Sequence, residues 1–244
     1  MIAVQQVPLL QVGDLSVSYL SNGTEHLVLK KVSFNVGVGE TVGIIGESGC
    51  GKTTMALALL GLLPSSAQVE NGRIIFGRQD LLELDRNQLN QIRGREIGFV
   101  FQEPLTALNP VMRIETQVCE SMRHHLGLSK DAARTRAISL LEKVGIADGL
   151  RCLKAYPHQI SGGLRQRVLI ATALSCEPKL LICDEPSSAL DRPTQFKLME
   201  TMAQLKNSQN LSMLLISHDL EMVDGIADRT MLMADGVCTE WEGR

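Results

Sequence analysis

The sequence is poor in aromatic residues and lacks both a long apolar run and a block of like charge. Aromatic residues make up 3% of the 244 positions and apolar residues 44%, so the core must be built mainly from aliphatic side chains. The longest strongly apolar stretch, residues 55–63, is too short to cross a bilayer, so any membrane role must be peripheral. Lys and Arg are dispersed and the net charge is −3, which excludes a general electrostatic footprint for nucleic acid.

The six cysteines form no C-x-x-C pair, so neither a zinc finger nor a thioredoxin-type motif is present. Cys183 lies in an apolar run and is predicted to be a buried small hydrophobe. We expect a reduced, cytosolic protein, and the first residues lack the basic region of a secretory signal.

The distribution of apolar residues divides the chain into regions of different character. Short apolar or alternating runs predict strands at residues 9–20, 27–36, 41–46, 72–77 and 97–102. From residue 114 to about 156, apolar residues recur at helical spacing and strand signals vanish, which indicates an inserted helical subdomain. Beyond residue 161 helices and strands alternate again, and this alternation favours a parallel sheet covered by helices.

A phosphate-binding loop is the most specific signal in the sequence. "GESGCGKT", from Gly46 to Thr53, matches G-x-x-x-x-G-K-[ST] between a predicted strand and a predicted helix. Its glycines let backbone N–H groups surround phosphate oxygens, at the positive end of the following helix. Lys52 would bind the β- and γ-phosphates and the Thr53 hydroxyl would bind Mg²⁺. The dinucleotide pattern G-x-G-x-x-G is excluded, because Ser48 stands where it needs glycine.

Two carboxylates follow a predicted buried strand in "KLLICDEP". A strand that ends in Asp184 and Glu185 delivers both groups to the edge of the sheet where α/β proteins bind ligands. Asp184 suits the Mg²⁺ shell, and Glu185 suits a general base that activates the attacking water. Taken alone, such a pair is more often simply solvated, but the phosphate loop in the same chain favours the catalytic interpretation.

These motifs, together with four others in the same order, resemble those of ATP-binding-cassette (ABC) ATPases over nearly the whole chain. The further motifs are "FQEP", "ISGGLRQR", "SALD" and "ISHD". The resemblance implies an α/β P-loop NTPase core with a mostly parallel sheet, an N-terminal antiparallel β region and a helical subdomain. Residues 1–244 would form a single ABC ATP-binding domain. Within it, residues 1–102 and 161–244 would form the nucleotide-binding core, and residues 103–160 the helical subdomain. The wording "FQEPLTALNP" is similar to the importer branch for oligopeptides, dipeptides, nickel and metal–opine complexes.

The resemblance assigns a role to each matching residue. Glu185, His218 and Gln102 would be catalytic: Glu185 as the base, His218 as a contact to the γ-phosphate, and Gln102 as a contact to Mg²⁺ and the attacking water. Thr53, Gln102 and Asp184 would bind Mg²⁺. Tyr19 would stack on adenine, although it is also compatible with an ordinary strand aromatic. The remaining ATP-binding set is Gly46, Glu47, Ser48, Gly49, Cys50, Gly51, Lys52, Thr53, Thr54, Ser161, Gly162, Gly163 and Asp191.

Partners also follow from the resemblance. The family works as a head-to-tail dimer, in which Ser161, Gly162 and Gly163 of one subunit face ATP held by the other. The other subunit would be a second copy or a related ATPase. Two integral membrane permease subunits would dock near residues 104–115, and an extracytoplasmic binding protein would act indirectly. The chain would therefore lie at the cytoplasmic face of the cell membrane, with no nucleic acid.

Some alternatives stay open at this level. An ABC ATPase of a nucleic-acid complex would carry long coiled coils or zinc modules between Lys52 and Ser161, and neither is present. A non-hydrolysing regulatory homologue would usually lack the base or the histidine.

Leu164 departs from the commonest signature but is apolar like the Met of the importer branch. Many peptide importers continue into a cysteine-bearing extension beyond the point where this sequence stops. The chain is therefore either a shorter, nickel- or opine-type member or is cut short, and the substrate class stays open. Arg165 and Arg167 have no assigned role, and at least one is interpreted as a solvated or salt-bridged helix arginine.

Overall fold

The computed structural model describes residues 7–21, 23–188 and 190–243, and these residues form two compact units. The first unit combines the chain up to Leu89 with the chain from Ser212 onward, and the second runs from Asn90 to Leu211. The chain passes from the first to the second within helix α2 (Arg86–Ile92).

An antiparallel sheet of four strands forms one part of the first unit. In spatial order the strands are β2 (Thr24–Val36), β1 (Leu10–Ser21), β4 (Ala67–Phe76) and β5 (Gln79–Asp80). β1 is central because it pairs with β2 on one side and β4 on the other. Its side chains from Leu15 to Ser18 are all buried, so buried and exposed residues alternate only over the first residues of the strand.

Parallel strands form the other part of the first unit. β3 (Thr41–Ile45) is fully buried and pairs in parallel with β8 (Ser212–Ser217) on one side and β9 (Arg229–Ala234) on the other. β10 (Val237–Glu240) joins β9 in antiparallel fashion. Two helices belong to this part, α1 (Lys52–Leu59) after β3 and α9 (Leu220–Asp224) after β8.

Beyond the end of α2, the described residues of the second unit form seven helical elements and one pair of parallel strands. The strands are β6 (Ile97–Val100) and β7 (Leu180–Asp184). The helical elements are α3 (Pro104–Ala107), α4 (Ile114–Leu126), α5 (Lys130–Lys143), α6 (Gly149–Lys154), a 3-10 helix (Pro157–Gln159), α7 (Gly162–Leu174) and α8 (Arg192–Gln209).

The helical region of the second unit follows ordinary start and stop signals. α4 buries Ile114, Val118 and Met122 at helical spacing, and it ends where Gly127 takes a left-handed conformation. The Ser129 hydroxyl then accepts a hydrogen bond from Ala132 N at 3.3 Å and starts α5. Every described residue between 103 and 160 lies in helix, turn or loop. The exact boundaries of the predicted subdomain at residues 103 and 160 stay a prediction.

The predicted fold class is confirmed, with parallel strands, flanking helices and an N-terminal antiparallel sheet all present. The short elements β5 and α2 carry too little periodicity to be predicted. Within the described ranges, no helix is both long and apolar enough to cross a membrane.

Candidate functional site

The phosphate-loop sequence forms a tight turn between the buried strand β3 and helix α1. Lys52 begins α1, and only 5% of its surface is exposed. Its Nζ donates hydrogen bonds to the carbonyl oxygens of Gly46 at 2.8 Å and Glu47 at 2.9 Å. The loop therefore curls around its own lysine, while Ser48 and Thr53 lie exposed. A buried cation held by carbonyl oxygens is positioned to exchange them for phosphate oxygens.

Two glycines of this loop have backbone conformations that other residues rarely adopt. Gly49 has a φ of 85° and Gly51 a φ of 112°, both in the left-handed region. A Cβ added to Gly46 would stand 2.3 Å from the Met233 carbonyl oxygen, so this position excludes any side chain. Gly51 precedes α1, and no side chain caps the helix there. A helix start without a side-chain cap suits an anion, and phosphate binding at this loop stays a prediction.

Tyr19 lies beside the start of α1. It stands near the end of β1, half-buried, and its hydroxyl lies 3.4 Å from the Thr54 Oγ1. This contact brings the aromatic ring to the helix that carries Lys52. The predicted stacking of Tyr19 on adenine stays a prediction.

His218 lies at the same sheet edge as the phosphate loop. β3 and β8 run in parallel, and Ile45 pairs with Ser217. Gly46 follows Ile45 and His218 follows Ser217, so both residues leave the sheet at the same edge. His218 is exposed, whereas all of β8 before it is buried. The next residue is fixed: Asp219 N donates to the Ser217 hydroxyl at 3.0 Å, and the Asp219 carboxylate accepts from Met222 N to start α9. The parallel register thus brings His218, which is more than 160 positions from the phosphate loop in the sequence, to the same edge of the sheet as the loop.

In the second unit, the paired carboxylates lie at the end of a fully buried strand. Asp184 is 2% exposed and Glu185 is 7% exposed. Glu185 has a φ of 48°, unusual for a residue with a side chain, and its carbonyl accepts hydrogen bonds from the N–H and the hydroxyl of Ser188. This strained turn is a feature of the site that the sequence does not reveal.

Gln102 lies at the same edge of the β6–β7 pair as these carboxylates. β6 and β7 are parallel, and Val100 stands opposite Cys183, so Gln102 and Asp184 each follow closely after a paired residue. Gln102 is exposed. Burial, followed by the charge of Asp184, raises the pKa of the Cys183 thiol far above its ordinary value, which agrees with its predicted place in the core.

The second glycine-rich helix start is built differently from the first. Ser161 caps α7, and its hydroxyl accepts from Leu164 N at 3.4 Å. A Cβ on Gly162 would meet nothing within 4 Å, whereas a Cβ on Gly163 would lie 3.2 Å from the Thr194 methyl group. Ser161 and Gly162 are exposed. The start of α7 therefore packs against the start of α8 on one side and presents Ser161 and Gly162 to solvent on the other.

The two arginines of α7 point into their own unit. The Arg165 Nε donates to the Pro157 carbonyl at 2.6 Å. Arg167 donates to the Val144 carbonyl and lies 3.5 Å from the Thr201 hydroxyl, and burial lowers the pKa of its guanidinium. The interpretation of one of them as a solvated or salt-bridged helix arginine does not describe these contacts, because both side chains bind backbone carbonyl oxygens. Nothing local in the sequence could have indicated the distant partner Val144.

Asp191 precedes α8 and is exposed. A hydrogen bond from the Thr194 side chain lowers the pKa of its carboxyl group. The same threonine contacts Gly163, so the described parts of the "SALD" motif and of the signature motif adjoin one another. Ala189 of "SALD" lies outside the described residues.

The structure thus gathers the predicted residues into two groups. Tyr19, the loop from Gly46 to Thr54, and His218 lie together in the first unit. The members of the second unit are Gln102, Ser161, Gly162, Gly163, Asp184, Glu185 and Asp191. Sequence reasoning missed Met233, whose carbonyl lies against Gly46, because β9 carries no chemical signature. Within the described ranges, no three His, Cys, Asp or Glu residues cluster as metal ligands.

Comparisons with known proteins identify the family and the fold of the chain. Residues 29–188 match the family model described as ABC transporter. The chain is 44% identical over 232 residues to the dipeptide transport ATP-binding protein of Bacillus subtilis, which covers 95% of this chain and 69% of the relative. It is 42% identical over 233 residues to the oligopeptide transport ATP-binding protein of the same organism, covering 95% of this chain and 65% of the relative. The dimeric post-hydrolysis structure of the ATP-binding cassette MJ0796 with ADP and Pi matches with a TM-score of 0.85 at 28% identity, over 96% of this chain and 100% of that one.

Proposed function

The chain belongs to the ABC transporter family, and we propose that it is the subunit of a peptide importer that binds and hydrolyses ATP. The observation that carries this proposal is the phosphate loop, which encloses Lys52 and leaves the start of α1 without a side-chain cap. The substrate class rests on the relatives, which are named for dipeptide and oligopeptide transport. We therefore propose peptides rather than nickel or metal–opine complexes. The alternative of a nucleic-acid complex has no support from these relatives.

ATP binding in this proposal begins at the first unit. The N–H groups from Gly46 to Thr54 surround the phosphates, with the positive end of α1 aimed at them. Lys52 exchanges its carbonyl partners for oxygens of the β- and γ-phosphates. Tyr19 stacks on adenine, and its contact with Thr54 keeps the ring next to the loop. His218 donates a hydrogen bond to the γ-phosphate.

Each of the residues predicted to bind Mg²⁺ offers an oxygen donor of a kind that this ion prefers. The Thr53 hydroxyl is exposed at the start of α1, the Asp184 carboxylate ends a buried strand, and the Gln102 amide is exposed after β6. Hydroxyl, carboxylate and amide oxygens are hard ligands of the kind Mg²⁺ prefers, and Asp184 is expected to act through water. When bound, the ion neutralises phosphate charge.

Hydrolysis requires a base for the attacking water, and Glu185 fills that role. Its carboxylate accepts the proton of the water as the new bond to the γ-phosphorus forms, while Gln102 orients that water. Ser161, Gly162 and Gly163 bind the γ-phosphate held by a second ATP-binding subunit, and Asp191 lies next to them. ATP binding closes this head-to-tail dimer and hydrolysis reopens it, because only ATP offers the γ-phosphate contact.

The remaining partners of the proposed importer lie in the membrane. Two permease subunits would dock on residues 104–115, an extracytoplasmic binding protein would deliver the peptide, and the ATPase would lie at the cytoplasmic face of the membrane. Val111, within that segment, is 80% exposed, which suits a contact that is covered in a complex. Cross-linking from cysteine at position 111 to a co-expressed permease tests this contact, and a permease captured only from another face would contradict it.

Replacement of the base tests the catalytic assignment. Glu185→Gln should slow ATP hydrolysis by about 10²- to 10⁴-fold, the range for loss of a general base, while ATP still binds. The matched control is Glu200→Gln, which makes the same change at an exposed position of α8 and should leave hydrolysis unchanged. Phosphate release and nucleotide titration measure the two properties. Undiminished turnover in Glu185→Gln would remove Glu185 from the role of base.

A further inference from the structure

Two of the six free cysteines are associated with the phosphate loop. Cys50 is part of the loop itself, and Cys238 lies in β10. Both are half-buried, whereas the other four cysteines are buried. The positions are almost 190 residues apart, and only the fold brings them to one place.

Met233 connects the two cysteines in space. A Cβ on Gly46 would stand 2.8 Å from the Cys50 Sγ and 2.3 Å from the Met233 carbonyl oxygen, so sulfur and carbonyl lie against the same point. The Met233 side chain also reaches the loop, because its Cε would be 3.1 Å from a Cβ on Gly51. Strand β9 therefore packs directly against the loop through one residue.

Cys238 faces the same way as Met233. The two residues are directly opposite each other in the antiparallel β9–β10 pair, and opposite residues project to the same face. The face that turns Met233 toward the loop therefore turns Cys238 toward it as well. Burial first, and then the electrostatic influence of the nearby Cys50, raise the pKa of the Cys238 thiol to about 12.

A cavity gives small molecules access to Cys50. It has a volume of about 660 Å³ and lies outside the loop, bounded by residues 47–50 of the loop, Val28 of β2 and residues 232–236 of the β9–β10 hairpin. Its walls combine apolar side chains with the charges of Lys30, Glu47 and Asp235. A small peptide-like disulfide has both chemistries and fits such a volume.

We propose that Cys50 and Cys238 are a modification site, at which a low-molecular-weight disulfide links them in a reversible intramolecular disulfide bond. The Cys50 thiolate attacks one sulfur of the small disulfide, forms a mixed disulfide and releases one small thiol. Cys238 loses its proton to solvent, and its thiolate attacks the Cys50 sulfur and releases the second small thiol. Two protein thiols are thus oxidised by two electrons, and one small disulfide is reduced to two thiols.

The bond would close the phosphate loop to nucleotide. Cys50 stands between Gly49 and Gly51, whose left-handed conformations shape the loop, and a covalent tie to β10 would pull this segment toward the hairpin. Loss of nucleotide binding on oxidation rests on the proposed function, whereas the disulfide bond itself does not. A thiol reductant reverses the reaction and restores the loop.

Oxidised glutathione is the probe for the test. The reduced protein is first titrated with ATP, and failure to bind at that stage counts against the proposed function alone. After treatment at pH 9, peptide mapping by mass spectrometry should find Cys50 linked to Cys238, and ATP affinity should fall at least about tenfold and return with dithiothreitol. Linkage should accelerate about tenfold per pH unit between pH 7 and 9. Because this range lies below the raised pKa of Cys238, each unit of increasing pH raises the fraction of Cys238 thiolate about tenfold.

Two variants separate this site from general thiol chemistry. Cys238→Ser should keep ordinary ATP hydrolysis and form no linked peptide. Its reaction with oxidised glutathione should end at the mixed disulfide between Cys50 and glutathione. Cys119→Ser removes a thiol from α4 and should still form the bond between Cys50 and Cys238. Absence of the linked peptide from the parent protein at pH 9, whether or not Cys50 carries glutathione, overturns the proposal. A linked protein that binds ATP with unchanged affinity overturns its consequence.

Discussion

The two glycine-rich helix starts, at α1 and at α7, use similar residues for opposite arrangements. At α1 the glycines adopt left-handed conformations, no side chain caps the helix, and the cation of Lys52 is buried within the loop. At α7 the glycines are part of the helix, the Ser161 hydroxyl caps it, and both nearby arginines bind carbonyls of their own unit.

This difference bears on the two proposed ligand contacts. In the proposed function, the α1 start would surround an anion with the chain's own backbone and supply the positive charge of Lys52. The α7 start has an open surface at Gly162, and its two arginines bind carbonyl oxygens elsewhere, so it would meet a nucleotide held by a second subunit. We therefore expect a phosphate cradle at α1 and a complementary surface at α7.

Removal of the Lys52 charge should have the largest effect on nucleotide binding. Lys52→Ala deletes a buried group that would make at least two charge-assisted hydrogen bonds, together about 3 kcal/mol. ATP affinity should therefore fall roughly 100-fold. Isothermal titration of the isolated chain measures the change, with Lys206→Ala near the end of α8 as the control. ATP affinity equal to that of the parent would contradict the phosphate-loop assignment.

A bulky substitution at the α7 start should affect only the complementary surface. Ser161→Arg places a long side chain at the exposed end of the helix, so it should leave ATP affinity within about twofold and reduce turnover by roughly 10- to 100-fold. In a Glu185→Gln background, which retains ATP, sedimentation should show a dimer that Ser161→Arg abolishes. Ser208→Arg adds the same charge at an exposed position of α8 and should leave the dimer intact. A normal ATP-bound dimer of the Ser161→Arg chain would remove the signature motif from the interface.

Alanine at the two helix starts should change stability in opposite directions. Gly51→Ala forces a side chain into a φ of 112° and against Leu29, so the free energy of unfolding should fall by about 1–3 kcal/mol. Gly162→Ala enters open space in a helix and should raise it by about 0.4–1 kcal/mol, since alanine has less freedom to lose on folding. Urea denaturation without nucleotide measures both. Equal changes in the free energy of unfolding would show that the two helix starts do not differ in backbone conformation as described.

Much of the candidate nucleotide-binding site could be predicted because its signals are local. The phosphate loop needs glycines, a lysine and a threonine within eight positions, flanked by a strand and a helix, and all of this lies in "TVGIIGESGCGKTTMALALL". The carboxylates likewise follow directly after the buried run Leu180–Asp184. The strained φ of Glu185 could not be predicted, because it depends on the turn that Ser188 completes.

The contacts that the sequence leaves undefined are those made through space. Arg167 meets a carbonyl 23 positions away, and Met233 reaches a loop that lies nearly 190 positions earlier. The partner atoms in these contacts are backbone or aliphatic, so no residue type signals them. Charge alone would have placed both arginines of α7 in solvent or at a phosphate.

By itself, the sequence determines the motifs of this protein: a phosphate-loop pattern, a pair of carboxylates and a second glycine-rich helix start, all encoded by short runs of neighbouring residues. Only the tertiary structure decides that His218 shares a sheet edge with the phosphate loop, and that Cys238 turns toward Cys50. The reason is physical. Local conformation follows from side chains within a few positions, whereas strand register and packing are set by the whole core, which brings distant segments together.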